Sequence, residues 1–370
     1  MATSSILKQT NQNVDSLSNT LKWVLLIFIT SLILYFAKVL FVPLLFGLLV
    51  ALITHPICKK MENKGCPRSL SITIVLFFVL LLFIVLIWLL GIEINIFLSD
   101  LPLVSNRISQ ISPDLEKWIE QSFAISAADQ SSWLQKLTSN LDNDITGFLK
   151  GLFTATISTL IMLVMIPIYA ALFLYHRETF VRYLELTVGP KYCNRLHVIL
   201  HESMYSYFNF VKGNFYVYCI VGVLNCIGLL ALGIKHALLY GMLTSFMMVI
   251  PYVGIFISAS IPVSIALVTK DSIWYPIGVI LIFVFIQYLE SNVLFPRVVG
   301  TQLNLSTWAT LVAIVAGTIL WGIAGMILIT PFLAILKIIT DHVPEWKALN
   351  VLLNRSEGYQ GRKIIVRVKK

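Results

Sequence analysis

The stretch Ser69–Ile92, SLSITIVLFFVLLLFIVLIWLLGI, decides the fold class. It runs for 24 residues without a charge. An α-helix rises about 1.5 Å per residue, so roughly 20 apolar residues cross the ~30 Å hydrocarbon core of a bilayer. Within lipid a lone segment must satisfy its own backbone polar groups, which makes such a stretch a helix. The whole chain carries the same signature. It is 58% hydrophobic and 12% charged, against about 25% charged for a soluble domain. No soluble core holds several long uncharged helices of this kind. The fold class expected is an all-α polytopic membrane protein.

Working outward from that segment, charge sets the expected sidedness. The loop before it holds Lys59, Lys60, Lys64 and Arg68 against Glu62. Basic short loops stay in the cytoplasm, so Ser69–Ile92 should cross outward, as part of an N-terminal helical region at 21–92. Upstream, Trp23–Ala37 and Val39–Ile57 are separated only by Lys38 and read as a tight helical hairpin, the lysine snorkelling at the far interface. Residues 1–20, polar and without a cleavable signal, read as a flexible cytosolic leader. Downstream, 93–150 has eight acidic and four basic residues; lacking a basic excess, it is expected outside as a small helical insert. Ser112-Pro113-Asp114 is a good helix start there.

Residues 151–175 should return inward, with a kink at Pro167. The segment 176–212 is basic and amphipathic, with Leu196, Ile199, Leu200, Met204, Phe208 and Val211 on one face, and is expected on the inner leaflet. A transmembrane core at 213–337 and a basic cytoplasmic tail at 338–370 complete the chain. The net charge of +9 thus lies in loops and tail; there is no basic patch with interleaved aromatics, and no nucleic-acid partner is expected. The five cysteines, Cys58, Cys66, Cys193, Cys219 and Cys226, show no Cys-x-x-Cys spacing, so neither a disulfide framework nor a metal site is expected.

Two uncharged stretches are too long for a simple crossing. Ala237–Thr269 has 33 residues and Leu303–Leu336 has 34, each roughly 50 Å as one helix. Helix-disrupting residues interrupt both: Pro251, Gly254 and Pro262 in the first; Gly322, Gly325 and Pro331, with Gly317, in the second. Each reads either as one broken crossing helix or as a re-entrant hairpin, giving eight or six crossings. Paired Gly/Pro-interrupted segments point to a substrate pathway in transporters.

Polar residues are costly inside a membrane. Gln287 and Glu290, three apart, share a helix face, and Glu290 could carry a proton or bind a cation. Asn225 is expected to hydrogen-bond a neighbouring helix, and Lys337 to anchor at the interface. There is no His-Glu-x-x-His, Gly-x-Ser-x-Gly or Walker-type loop. No enzyme activity, catalytic residue, cofactor or metal is expected.

Three motifs carry a family resemblance. They are Pro251-Tyr252-Val253-Gly254 followed by Pro262; Gln287 through Pro296 (QYLESNVLFP) followed by Val298-Val299-Gly300; and Gly322-Ile323-Ala324-Gly325-Met326 followed by Pro331. In order and spacing the chain resembles the autoinducer-2 exporter family, the PerM-like permeases. That resemblance implies a permease of the bacterial inner membrane with both termini in the cytoplasm. Members are implicated in export of a furanone signal, others in exchange of sodium or lithium for protons. The pathway is expected between the Pro251–Gly254 and Gly317–Pro331 regions, with Gln287, Glu290, Asn292, Pro296 and Gly300 as its residues. The partners expected are the lipid bilayer and a small-molecule or ion substrate, with a homo-oligomer left open. A non-transporting membrane scaffold is the rival from another class.

Overall fold

The computed structural model describes residues 21–22, 24–26, 28–89, 91–92, 95, 164–251, 253–270, 272–299 and 305–354. The 1–20 leader, all of the 93–150 insert but Asn95, residues 151–163, Gly300 and the tail beyond 354 lie outside the described residues. Among the described residues the regular structure is helical, apart from one bridge between Leu305 and Asn354. Five helices are long and apolar enough to cross a membrane: Lys38–Glu62, Arg68–Leu89, Pro190–Ala231, Trp274–Val298 and Ile323–His342. Their large apolar side chains point outward; Phe77, Phe78, Leu82 and Trp88 are exposed. A helix apolar on its outer face is stable only in lipid. The chain is an all-α polytopic membrane protein.

Helix α1 (Val24–Phe36) and α2 (Lys38–Glu62) meet at Ala37, whose φ of −90° and ψ of 22° leave the helical well. The ladder continues on both sides: Ala37 N–H donates to Ile33 O (2.9 Å) and Phe41 N–H to Ala37 O (3.0 Å). The joint is therefore a kink and not the hairpin expected at Lys38. A reversal on one residue takes a left-handed backbone, as at Gly322 with φ 63°, and Ala37 stays on the right-handed side. Trp321 explains the kink, because its Nε1–H donates to the Leu34 carbonyl (2.9 Å), and a side chain inserted into the ladder bends a helix.

Helix α3 (Arg68–Leu89) and α4 (Val164–Tyr175) pack beside α2 around Ala51, Cys58, Ile72, Val75, Ala170 and Leu174. Gly47 is where α2 and α4 come closest; a Cβ there would lie 2.6 Å from Tyr169 Cβ. Small residues let membrane helices approach in this way. Helix α5 (Arg177–Val188) follows.

The spine of the molecule is α6 (Cys193–Ala231), 39 residues without interruption and roughly 58 Å long. It runs through the boundary expected between 176–212 and 213–337. Gly222 and Gly228 do not interrupt it. They are contact points instead: a Cβ on Gly222 would overlap Ser245 Oγ, and one on Gly228 would meet Ile282. Asn225 is buried, and its amide donates to Val221 O of its own helix (2.9 Å), so it does not bridge helices as expected.

Both overlong stretches fold back on themselves. The first becomes α7 (Ala237–Met247) and α8 (Val253–Thr269), joined by a short turn. Ile234, Ala237, Leu243, Ile261, Ile265 and Ala266 share one core with Val279 and Phe283 of α9 (Trp274–Leu289). The open end of this hairpin lies at the C-terminus of α6, where Lys270 Nζ stands 3.2 Å from the Cβ position of Gly233. After α9 come a wide π-helical turn (Glu290–Leu294) and α10 (Phe295–Val298).

The second stretch becomes α11 (Thr307–Trp321) and α12 (Ile323–His342). Its open end is closed by Ser306 N–H donating to Leu353 O (2.8 Å), beyond α12, from α13 (Lys347–Leu353). His342 Nε2 lies 3.4 Å from Glu202 Oε2, in the N-terminal half of α6. The two hairpins thus enter from opposite ends of α6. The version in which each stretch crosses once, which gave eight crossings, does not fit. Lys337 is buried on α12 and donates to Asp341 (2.5 Å), which also accepts from Asn350 (2.6 Å). It is a paired internal charge, not an interfacial anchor.

Candidate functional site

The polar turn after α9 is built by Pro296. Proline has no N–H and its ring crowds the carbonyl one turn back, which disfavours a regular α-helical ladder at this point. The chain widens instead, and Phe295 N–H reaches back five residues to Glu290 O. Such π-turns are rare and concentrate at functional sites. Here the turn brings Ser291 under the Gln287 side chain. Gln287 Nε2 donates to Glu290 Oε2 (2.5 Å) and to Ser291 Oγ (3.3 Å). Asn292, expected to support this group, turns away and donates to Tyr288 O (3.0 Å). Pro296 acts through the backbone. Gly300 lies outside the described residues.

Glu290 is half-buried, and Tyr218 of α6 packs on the same apolar cluster as Leu294 of the π-turn. The Tyr218 carbonyl accepts a hydrogen bond from Ser245 Oγ of α7 (2.8 Å). Met248, at the tip of the α7–α8 hairpin, packs with Leu294 and Val298 against the cluster Val217, Val221, Ile286 and Val299. The carboxylate, the π-turn, α6 and a hairpin tip therefore meet at one level. Ser291 and Tyr218 belong to this group although no sequence pattern singled them out. The serine needs the widened turn to reach Gln287, and the tyrosine comes from 72 positions upstream (290 − 218).

Of the six positions expected to break helices, two do. Pro251 lies in the turn between α7 and α8. Gly322 closes α11 onto α12 with φ 63° and ψ −140°, a conformation open to glycine. Gly254 is the second residue of α8, and a Cβ there would strike the Met247 carbonyl. Gly325 sits inside α12 against Gly317 of α11, again with no space for a Cβ. Pro262 and Pro331 lie inside α8 and α12, which continue past them. In a membrane helix neighbouring groups re-satisfy the carbonyl that a proline frees. The Pro251–Gly254 and Gly317–Pro331 regions were expected to flank one pathway. They do not face each other, because each hairpin packs on its own half of α6.

A second feature had no counterpart in the expectations. A cavity of about 1350 Å³ opens between α2, α5, α6 and α12, its walls including Leu52, His55, Arg177, Leu196, Ile199 and Ile339. The amphipathic face of 176–212 is thus turned toward this cavity and α12, not only toward a leaflet. Ser203, 6% exposed, lies in its wall. Helix α5 is held by two ion pairs. Arg177 donates to both Glu62 oxygens (3.1 and 2.5 Å), and Arg68 donates to Glu178 (3.1 Å) and to Leu174 O (2.9 Å).

Comparison with known proteins places this architecture. The profile of the AI-2E family transporter matches residues 23–345. The chain is 26% identical over 314 residues to "Putative transport protein YueF" of Bacillus subtilis, covering 82% of this chain and 84% of that protein. It is 26% identical over 327 residues to "Putative transport protein YrrI" of the same organism, covering 82% and 87%. It is 24% identical over 325 residues to the AI-2 transport protein TqsA of Escherichia coli, covering 86% and 90%.

Proposed function

The chain belongs to the AI-2E transporter family, and from that premise we propose that it is an inner-membrane permease exporting a small polar molecule of the autoinducer-2 kind, by secondary or passive transport. One observation carries the placement of the pathway. The Gln287–Glu290–Ser291 group sits on a π-turn beside the tip of the α7–α8 hairpin. A membrane-depth carboxylate with amide and hydroxyl neighbours can hold a hydroxylated solute by hydrogen bonds, and irregular backbone at this depth belongs at a polar path. Alternating access then follows from movement of the α7–α8 tip against α6 while α9 stays fixed. The identity to a protein named for AI-2 transport supports the substrate class.

Basic residues set the orientation of this reading. Lys59, Lys60, Lys64, Arg68, Arg177, Arg182, Lys191 and Arg195 gather at one end, which the positive-inside rule puts in the cytoplasm. The C-terminus and the open end of α11–α12 then face the cytoplasm, and α7–α8 enters from outside. The test is efflux of autoinducer-2 from preloaded proteoliposomes. Faster release than from empty liposomes, lost in Glu290→Ala, is expected; release at the protein-free rate would sink the proposal. The Glu290 carboxylate favours a second reading, coupling to protons or sodium. In that case Glu290→Gln abolishes pH-dependent sodium exchange, and unchanged exchange rejects it.

A further inference from the structure

The elbow between α5 and α6 gathers three metal-ligating side chains. Glu185 lies in the last turn of α5. The chain then reverses at Gly189, whose φ of 81° suits glycine, and Pro190. Cys193 opens α6, and His197 follows four residues later on the same face. One donor atom from each of Glu185, Cys193 and His197 lies within 4.8 Å of the other two.

The histidine shows how the three are used. Its Nδ1 lies 3.2 Å from the Cys193 carbonyl oxygen. A carbonyl can only accept, so Nδ1 carries the proton. Its Nε2 faces Glu185 Oε1 at 3.2 Å. With Nδ1 protonated, neutral imidazole presents a lone pair at Nε2, and two lone pairs at this distance repel. A shared cation, either a proton or a metal ion, resolves the repulsion. An Nδ1–H bonded to a carbonyl is also the outer-shell arrangement that orients a histidine to bind metal through Nε2. Zinc–nitrogen and zinc–oxygen bonds of about 2.0–2.1 Å give a tetrahedral edge of roughly 3.4 Å, close to the separation observed. Cys193 supplies the sulfur that distinguishes this set from a surface ion pair.

We propose that Glu185, Cys193 and His197 form a binding site for a zinc-type divalent ion, with a fourth position left to water. A nitrogen, a sulfur and a carboxylate oxygen suit zinc rather than magnesium or calcium, which take oxygen ligands. The bound ion ties the end of α5 to the start of α6. Helix α5 is a wall of the 1350 Å³ cavity and has no buried residue of its own, so the ion fixes that wall. This makes the elbow a metal-responsive element separate from the Glu290 group.

The test uses full-length protein purified in detergent, stripped with chelator and titrated with Co²⁺ as probe. One Co²⁺ per chain is expected, with a thiolate-to-cobalt charge-transfer band that Zn²⁺ abolishes by displacement. Cys193→Ser should remove the band. Glu185→Gln and His197→Gln should each weaken binding at least about tenfold, while Cys66→Ser leaves both unchanged. All variants are checked for a single size-exclusion peak. The absence of a band in the parent protein would overturn the proposal. So would a band that survives Cys193→Ser, which marks adventitious binding at another cysteine, or wild-type affinity in both the Glu185 and His197 variants, which marks a proton-sharing pair only.

Discussion

The two hairpins are built from the same kind of sequence, an overlong apolar stretch with glycines and prolines near its middle, yet they close differently. α11–α12 turns on the single residue Gly322, and Gly317 and Gly325 then bring the two backbones into contact below it. Its tip is tied to α1 through Trp321. α7–α8 turns through residues 248–251; it has backbone contacts of its own, Gly254 on Met247 within the hairpin and Gly241 on Gly222 and Cys226 of α6, while its tip meets α6 and the π-turn through Ser245 and Met248 side chains. Backbone-to-backbone contact cannot adjust without breaking the hairpin, whereas side-chain contacts can exchange. The comparison assigns α11–α12 to anchoring and the tip of α7–α8, beyond Gly241, to movement.

The largest effect should come from filling the anchor. Gly325→Val places a side chain against the Gly317 carbonyl, which cannot give way. A loss of about 3 kcal/mol or more is expected, seen as a collapse of monodisperse protein on size exclusion. Normal yield would break the assignment of that hairpin. At the other hairpin the expectation reverses. Glu290→Gln should leave thermal stability nearly unchanged but slow efflux about tenfold or more, since a hydrogen bond to a charged group is worth roughly 1.5–3 kcal/mol.

A smaller effect is expected from Trp321→Phe, which keeps the ring and removes the Nε1–H donor to Leu34 O. A stability loss of about 1 kcal/mol in thermal unfolding sharpens the anchoring role. The smallest should come from Glu178→Ala. Its side chain is 78% exposed in the pair with Arg68, and exposed pairs contribute about 0–1 kcal/mol, so the melting temperature should barely move.

How far the sequence could be read follows from range. The membrane class was legible in Ser69–Ile92 alone, because hydrocarbon thickness converts directly into run length. The interruption at Pro251 and the turn at Gly322 were legible because proline and glycine act on their own backbone. The same rule failed at Pro262 and Pro331, where neighbouring helices decide, and at Gly254 and Gly325, where a missing Cβ serves close approach. The kink at Ala37 depends on Trp321, 284 positions away (321 − 37), and no local pattern at Lys38 could reveal it. In the polar group, Gln287 and Glu290 were visible by helical spacing. Ser291 required the π-turn and Tyr218 required α6. The cavity beside α5 was not legible at all, since helices far apart in the chain, α2, α5, α6 and α12, enclose it.

The account rests on movement of α7–α8 against α6, and a reversible cross-link tests that most directly. The Cβ position of Gly222 lies 3.2 Å from Ser245 Cβ, a few tenths of an ångström inside the ~3.5–4.5 Å that a disulfide spans, so the tip eases outward slightly to take the bond. In a chain whose native cysteines are replaced, Gly222→Cys with Ser245→Cys should pin the hairpin when oxidised. Efflux from proteoliposomes is then expected to stop under oxidant and return on reduction, while each single variant is indifferent to both. Full-rate efflux by the cross-linked protein would contradict the account.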